Sequence, residues 1–417
     1  MSEVRALRIL LGEVPVGHLT AYPDGRNIFS FDGSYVDLGS SRPVLGLNFN
    51  RLKDLPGTAR ALAADHKTRA RLPPFFSNLL PEGLLREFMI KRLKIHRDHE
   101  FDLLAALGES LPGSVRALTA DVPLQAAARG RVRRGALEKV DVPIKFSLGG
   151  SQLKFSMVEQ GGRFVLDDGA EEWIVKPPHP VHAGLPQNEL TMMRLAEAAG
   201  VDVPPTKLVR LADLELDGLT GFAIPRHEPW AYAIQRYDRT VAGRVHVEDF
   251  AQVFDVYPED EYRATNYDTM ARLIYEGFPN RHEQLAEFVR RLVVNILIGN
   301  GDAHLKNWSV IYRDGRTAQL APAYDLVSTI QYVGGDSLAL NLGREKRFAA
   351  IDASHFDRLA RRVGAEPKFV LDVVAETVEL ARTKWPGVLR SSKLSKEARD
   401  ALRRHLAGLS ALLRIAR

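Results

Sequence analysis

The chain has 417 residues, a length that favours two or three packed units over a single core. Hydrophobic residues make up 45% and charged residues 26%, ordinary globular values, and the absence of cysteine excludes disulfides, thiolate metal sites and cysteine nucleophiles together. A formal charge of +5 permits an acidic partner or nucleic acid without demanding either. No secretory leader is read at the start, because the apolar patch Ile9–Leu11 stops at Gly12 and Glu13. The absence of cysteine suits a reducing cytoplasm, the setting expected, and the longest apolar runs, such as Leu292–Ile298, are too short to span a bilayer, so no membrane role is expected.

Strand-like runs come first, at Arg8–Leu11, Gly17–Ala21 and Ile28–Phe31, separated by Gly, Pro and Asp turns. From Phe75 the spacing of Leu79, Leu80, Leu84, Leu85, Phe88 and Met89 predicts helix with one shared face. Ala126–Arg134, small and basic, reads as a solvated linker rather than a nucleic-acid patch. Strand signals resume at Pro143–Leu148, Lys154–Val158, Phe164–Leu166 and Trp173–Val175. A helix follows over Pro186–Ala199, closed by Gly200, then strands at Lys207–Leu211 and Ala231–Tyr237. From His246 onward the pattern is mostly helical, clearest over Glu283–Ile298, and the last helix opens at the N-cap candidate Ser395. The domains expected are a mixed unit over 1–125, a linker over 126–142, a β-rich lobe over 143–240 and a helical lobe over 241–417.

The segment richest in chemistry runs from Ile298 to Trp308, where an apolar helix stops at Gly299 and Gly301 and hands polar residues to a loop. Asp302 and Asn307 stand at the interval of the Asp and Asn in a kinase catalytic loop. There the Asp meets the attacking hydroxyl while the Asn oxygen ligates magnesium. Asp325 is the second carboxylate such a site needs, returned beside Asn307 by a hairpin turning at Asp314-Gly315. Taken singly these are turn or cap residues; their joint spacing carries the functional reading. His304 reads as a loop-packing group or a direct participant, and Lys306 as a phosphate contact or a loop cation.

Upstream, Ser147-Leu148-Gly149-Gly150-Ser151-Gln152-Leu153-Lys154 joins two strand-like runs, and paired glycines admit close backbone approach to a phosphate, though they also make ordinary hairpins. Lys176 closes an apolar strand, where a kinase sets its phosphate-contacting lysine or where an edge lysine simply snorkels. Asn188 and Glu189, early in the next helix, could hold it, the Glu through an ion pair.

These pieces resemble the HipA family of kinases, the toxin halves of bacterial toxin–antitoxin pairs. Phe75–Gly83 and Leu104–Glu109 look like the family's N-terminal domain, and the Gly-rich turn, Ile174-Val175-Lys176, Ile234–Arg239 and the two Asp loops follow in the family's order. The resemblance implies an α+β, protein-kinase-like bilobal fold behind a mixed N-terminal domain, using ATP and Mg2+. It implies Asp302 as catalytic base, with Lys306 and His304 beside it, and Asn307 and Asp325 as magnesium ligands. Gly149, Gly150, Ser151, Gln152 and Lys154 would form the phosphate loop. Lys176 would contact phosphate, and Gln235–Tyr237, with Gln235 and Tyr237 foremost, would meet the adenine. Ser147 aligns with the serine that family members autophosphorylate; Ser151, where an alanine is common, could share that role. The partners implied are a protein substrate among translation components such as aminoacyl-tRNA synthetases, and a small DNA-binding antitoxin through which any DNA contact is indirect.

Other spellings are decoys. His96-Arg97-Asp98 imitates a catalytic loop, but Leu103 offers no magnesium-binding oxygen, so a surface turn is expected. His179 and His182 lack a third ligand, and Gly299-Asn300-Gly301 follows a helix rather than a strand. Two rival functions share the core: a small-molecule or lipid phosphotransferase, and a non-catalytic corepressor that docks an antitoxin.

Overall fold

The computed structural model describes residues 4–49, 66–69, 71–121, 152–166, 172–215, 224–225 and 227–415. The 126–142 linker, the Pro143–Leu148 strand and Ser147, Gly149, Gly150 and Ser151 lie outside the described residues.

The first unit is a five-stranded sheet in the order β4-β3-β2-β1-β5, built from β1 (Arg5–Leu11), β2 (Val14–Ala21), β3 (Arg26–Phe31), β4 (His66–Arg69) and β5 (Val115–Ala120). Alternation puts Leu7, Ile9, Leu19 and Phe29 into its core, where Phe29 packs against Phe76 with ring centroids 4.8 Å apart. The helical pattern expected from Phe75 is interrupted: a one-turn helix at Pro74–Ser77 is separated from α1 (Gly83–Leu93). Pro81, which lacks a backbone donor, lies in the break, and Leu84 lands at 50% exposure rather than on the shared face. α2 (Glu100–Leu107) then meets β5 at Gly108, where a side chain would overlap the backbone of Ala117.

A second five-stranded sheet, in the order β7-β6-β8-β10-β9, contains β6 (Phe155–Gln160), β7 (Arg163–Val165), β8 (Trp173–Lys176), β9 (Thr206–Arg210) and β10 (Trp230–Gln235). α3 (Leu185–Ala198) crosses between β8 and β9 and ends before Gly200, whose φ of +87° only glycine adopts freely. The inner face of this sheet, with Phe155, Met157, Val175, Ala231 and Ala233, joins one hydrophobic cluster with the core of the first unit.

The C-terminal part is helical around α5 (Arg281–Ile298), every residue of which from Leu292 to Ile298 is buried. α4 (Tyr267–Gly277), α7 (Pro367–Ser391) and α8 (Lys396–Gly408) pack against it, and α6 (Ala353–Val363) packs on α4 and α7. Ser395 caps α8 by accepting a bond from the Ala398 amide at 3.1 Å. One expectation is corrected: His246–Asp249 is not helical but a strand, β11, paired with β12 (Ser309–Tyr312), which in turn pairs with β13 (Gln319–Leu320). Its inward residues include the buried polar His246 and Glu248, so no apolar alternation announces it.

Candidate active site

Lys176 ends β8 opposite Tyr232 of β10, which fixes its side chain over the space between the sheet lobe and the helical lobe. Its ammonium lies 2.5 Å from Glu189 Oε1 on α3 and donates to Asp325 as well. Burial opposes its charge, but the Asp325 and Glu189 carboxylates outweigh that and hold it above the ordinary lysine range. Two carboxylates share this cation, and they divide. Burial works against Asp325 too, yet Lys176 and Lys154 keep it well below the usual range, whereas burial pushes Glu189 up to about 7 against the pull of Lys176. Asn188 does not touch Lys176. One position round the helix from Glu189, it instead accepts from the Ser328 amide at 3.1 Å and donates to the Ser328 carbonyl at 2.9 Å, which pins the chain just after Asp325. Asp325 has a φ of +53°, a left-handed conformation that Asp tolerates better than most residues.

Below, α5 stops at Gly299, also left-handed, and the chain turns through Asn300–Asn307 into a one-turn helix at Leu305–Asn307. Asn300 is wholly buried; it donates to Asn295 at 2.7 Å and accepts from the Asp302 amide at 3.0 Å. The Asp302 carbonyl takes a bond from Asn307 Nδ2 at 2.6 Å, which keeps Asn307 Oδ1, the atom of an amide able to ligate a cation, out of that bond. The Asp302 carboxyl, half exposed, receives the Tyr262 hydroxyl. Partial removal from water pushes it up to about 6; Tyr262 pulls it down, and Asp325 and Asp336 add to the rise.

Asn307, Asp325, Lys176, Lys154, Lys306, Gln235 and Tyr237 all line one cleft of about 910 Å3. Asp302 is not among its lining residues; its carbonyl is bonded by Asn307, which is. Lys154 is buried there, its ammonium weakened by desolvation and by Lys176 but supported by Asp325. Gln152 Nε2 is buried with no hydrogen-bond partner among the described residues. His304 is held in the loop: its Nδ1 accepts from the Lys306 amide at 3.3 Å, its ring lies 4.6 Å from that of Tyr262, and burial lowers it to about 4, so it is neutral at physiological pH. Lys306 Nζ is enclosed by Asn78, Glu82 and Asp249. His179 and His182 stack on each other at 4.6 Å and bond within their own loop, as a non-metal pair does.

Sequence reasoning passed over Tyr262, Asp249 and the site role of Asn78 and Glu82. Tyr262 and Asp249 carry no local signature. Asn78 and Glu82 belong by sequence to the front domain; polar residues beside Pro81 in an otherwise apolar stretch are the one signal of a further role.

Oxygen donors from Asn307 and Asp325 with buried lysines above them suit a hard divalent cation shared with phosphate oxygens. Among the described residues no group of three or more His, Asp or Glu side chains is placed to hold a metal ion.

A β-rich lobe bearing the Lys–Glu pair, set over a helical lobe bearing the Asp/Asn loop and a second Asp, makes this an α+β protein of the protein-kinase-like bilobal class, preceded by a mixed domain. Residues 7–118 match the HipA N-terminal domain and residues 146–385 the HipA-like C-terminal domain. The chain belongs to the HipA family. It is 40% identical over 417 residues to a Sinorhizobium fredii protein named "Putative kinase Y4dM", covering 97% of each chain. It is 25% identical over 299 residues to the "Serine/threonine-protein kinase toxin HipA" of Shewanella oneidensis, covering 64% of this chain and 65% of that one. A solved Shewanella oneidensis MR-1 complex of HipA, HipB and operator DNA shares the fold, with a TM-score of 0.70 at 20% identity over 98% of this chain and 96% of that one. No described helix is long and apolar enough to cross a membrane.

Proposed function

We propose that this chain is an ATP- and Mg2+-dependent serine/threonine protein kinase of the HipA toxin type, acting in the cytoplasm. The observation that carries the reading is the joining of Lys176 to both Glu189 and Asp325 in the cleft that Asn307 also lines. A bound Mg2+ would be held by Asn307 Oδ1 and Asp325 and would neutralise charge on the phosphates. Lys176 and Lys154 add positive charge at the same place, and Gln235 and Tyr237 border the space for the base. Asp302 orients the acceptor hydroxyl and takes its proton as the new bond from that oxygen to the gamma phosphorus forms and the bond to the leaving ADP breaks. Tyr262 holds that carboxylate in place.

The named relatives support kinase activity, and the HipA–HipB–DNA complex supports a small DNA-binding antitoxin as partner, with DNA reached through it. The substrate we propose is a protein of the translation apparatus. Ser147, with Ser151 as its alternate, is the proposed autophosphorylation site; phosphate there adds roughly two negative charges beside the nucleotide and disfavours its binding.

Asp302→Asn tests the reading. Phosphate transfer from ATP to a cell lysate should vanish while the circular dichroism spectrum and thermal midpoint stay near the parent's. Undiminished transfer by the variant would sink it. Mass spectrometry after incubation with ATP and Mg2+ should find phosphate at Ser147 or Ser151; finding neither removes the autoregulatory part.

A further inference from the structure

We infer that Asn78 and Glu82, which belong to the front domain, are positioning residues for phosphotransfer: they grip Lys306 and so fix the catalytic loop between Asp302 and Asn307. The inference deepens the kinase reading and rests on it for its catalytic half. The Lys306 side chain is 4% exposed, and its ammonium lies 2.7 Å from Glu82 Oε1, donates to Asn78 Oδ1 at 3.0 Å and to the Asn78 carbonyl at 3.2 Å, and stands 3.6 Å from Asp249. An ammonium has three protons; two hydrogen bonds from this one go to Asn78, and the Glu82 and Asp249 carboxylates stand within ion-pair distance. Lys306 therefore acts through what it holds.

What it holds is the site. Its carbonyl accepts the Tyr324 hydroxyl at 2.7 Å, one residue before Asp325, and its amide donates to His304; Asn307 follows directly. A single residue thus links the front domain, the Asp302–Asn307 turn and the Asp325 segment.

Local bonding does not account for the oxygens that these two front-domain residues turn to Lys306. Glu82 occupies the N-cap position of α1, yet its carboxylate makes no capping bond and turns to Lys306 instead. Asn78 is buried and clamped by donating to the Pro74 carbonyl at 2.9 Å and the Val256 carbonyl at 2.7 Å, which leaves its oxygens facing the lysine. Buried charge clusters are poor stabilisers compared with apolar packing. Nor is the cluster needed to join the domains, since Gln252 to Phe75, Leu47 to Glu248 and Gly113 to Asp238 do that elsewhere. Geometry at the loop is what this grip adds.

The test compares the full-length parent with Glu82→Gln, Glu82→Asp and Asp302→Asn, measuring ATP turnover, ATP affinity by calorimetry with Mg2+, thermal midpoint and hydrogen exchange of the 300–308 peptide. Glu82→Gln should lower kcat at least tenfold with ATP KM and Kd within twofold, raise exchange in 300–308 while β1–β3 stay protected, and be partly rescued by Glu82→Asp. A Glu82→Gln protein with parental kcat, or one that loses thermal stability while 300–308 exchanges as in the parent, overturns the inference. The exchange arm decides the question even without turnover. Failure of the kinase reading shows separately, as an Asp302→Asn variant no different from the parent.

Discussion

Removing Lys176 leaves two carboxylates, Glu189 fully buried and Asp325 largely so, without the cation they share. Lys176→Met should cost about 3–5 kcal/mol in denaturant unfolding, the usual penalty for breaking a buried pair from one side, and should abolish measurable ATP binding. In the proposed reaction Asp302 is the base; its carboxyl, raised to about 6, must then be ionised to accept a proton, so kcat/KM is expected to fall roughly tenfold per unit below about pH 6. The Tyr262 hydroxyl stabilises the charged form; Tyr262→Phe therefore lets the value rise, and the acid limb of the profile should move to higher pH. A limb that stays put or moves down would show that Tyr262 does not govern Asp302. At this scale the sequence was informative where spacing is short: Asp302 and Asn307 announce each other within one turn. It was mute on Tyr262 and on the partners of Lys306, because those arrive from elements far along the chain and nothing local requires them.

Elements were readable in proportion to the apolar periodicity they carry. α5 and α3 are buried along a continuous stripe or on all sides, and their limits fall within two residues of those expected. β11 escaped because it buries His246 and Glu248, polar groups whose bonds to Leu45 and Leu47 belong to the tertiary structure. Two substitutions probe element joints. Ser395→Ala should lose about 1 kcal/mol with activity intact, as the Ala398 amide is left to water. Gly108→Ala should cost on the order of 1–3 kcal/mol or more, because the new methyl meets the rigid backbone at Ala117 rather than a side chain that can swing away. Denaturant titration measures both.

Across the whole molecule, the front domain and the β-rich lobe bury a common hydrophobic cluster that runs from Leu7 and Phe29 through Phe76 to Phe155 and Val175. Chain length led to an expectation of two or three units but gave no sign of an interior shared between the front sheet and the second sheet, since such packing leaves no periodic trace. All 4 tryptophans (Trp173, Trp230, Trp308 and Trp385) lie beyond the front domain, so their fluorescence reports only on the two lobes. Phe76→Ala, with an expected loss of about 3–5 kcal/mol, should therefore shift the tryptophan transition although the ring it removes is in the other unit. A tryptophan midpoint equal to the parent's would mean that the two unfold independently. The shared interior also constrains descent. A front domain borrowed from a distant relative would bring side chains shaped against a foreign neighbour, so the two parts of this gene must accumulate change in step, and shuffling between lineages should preserve them as a pair.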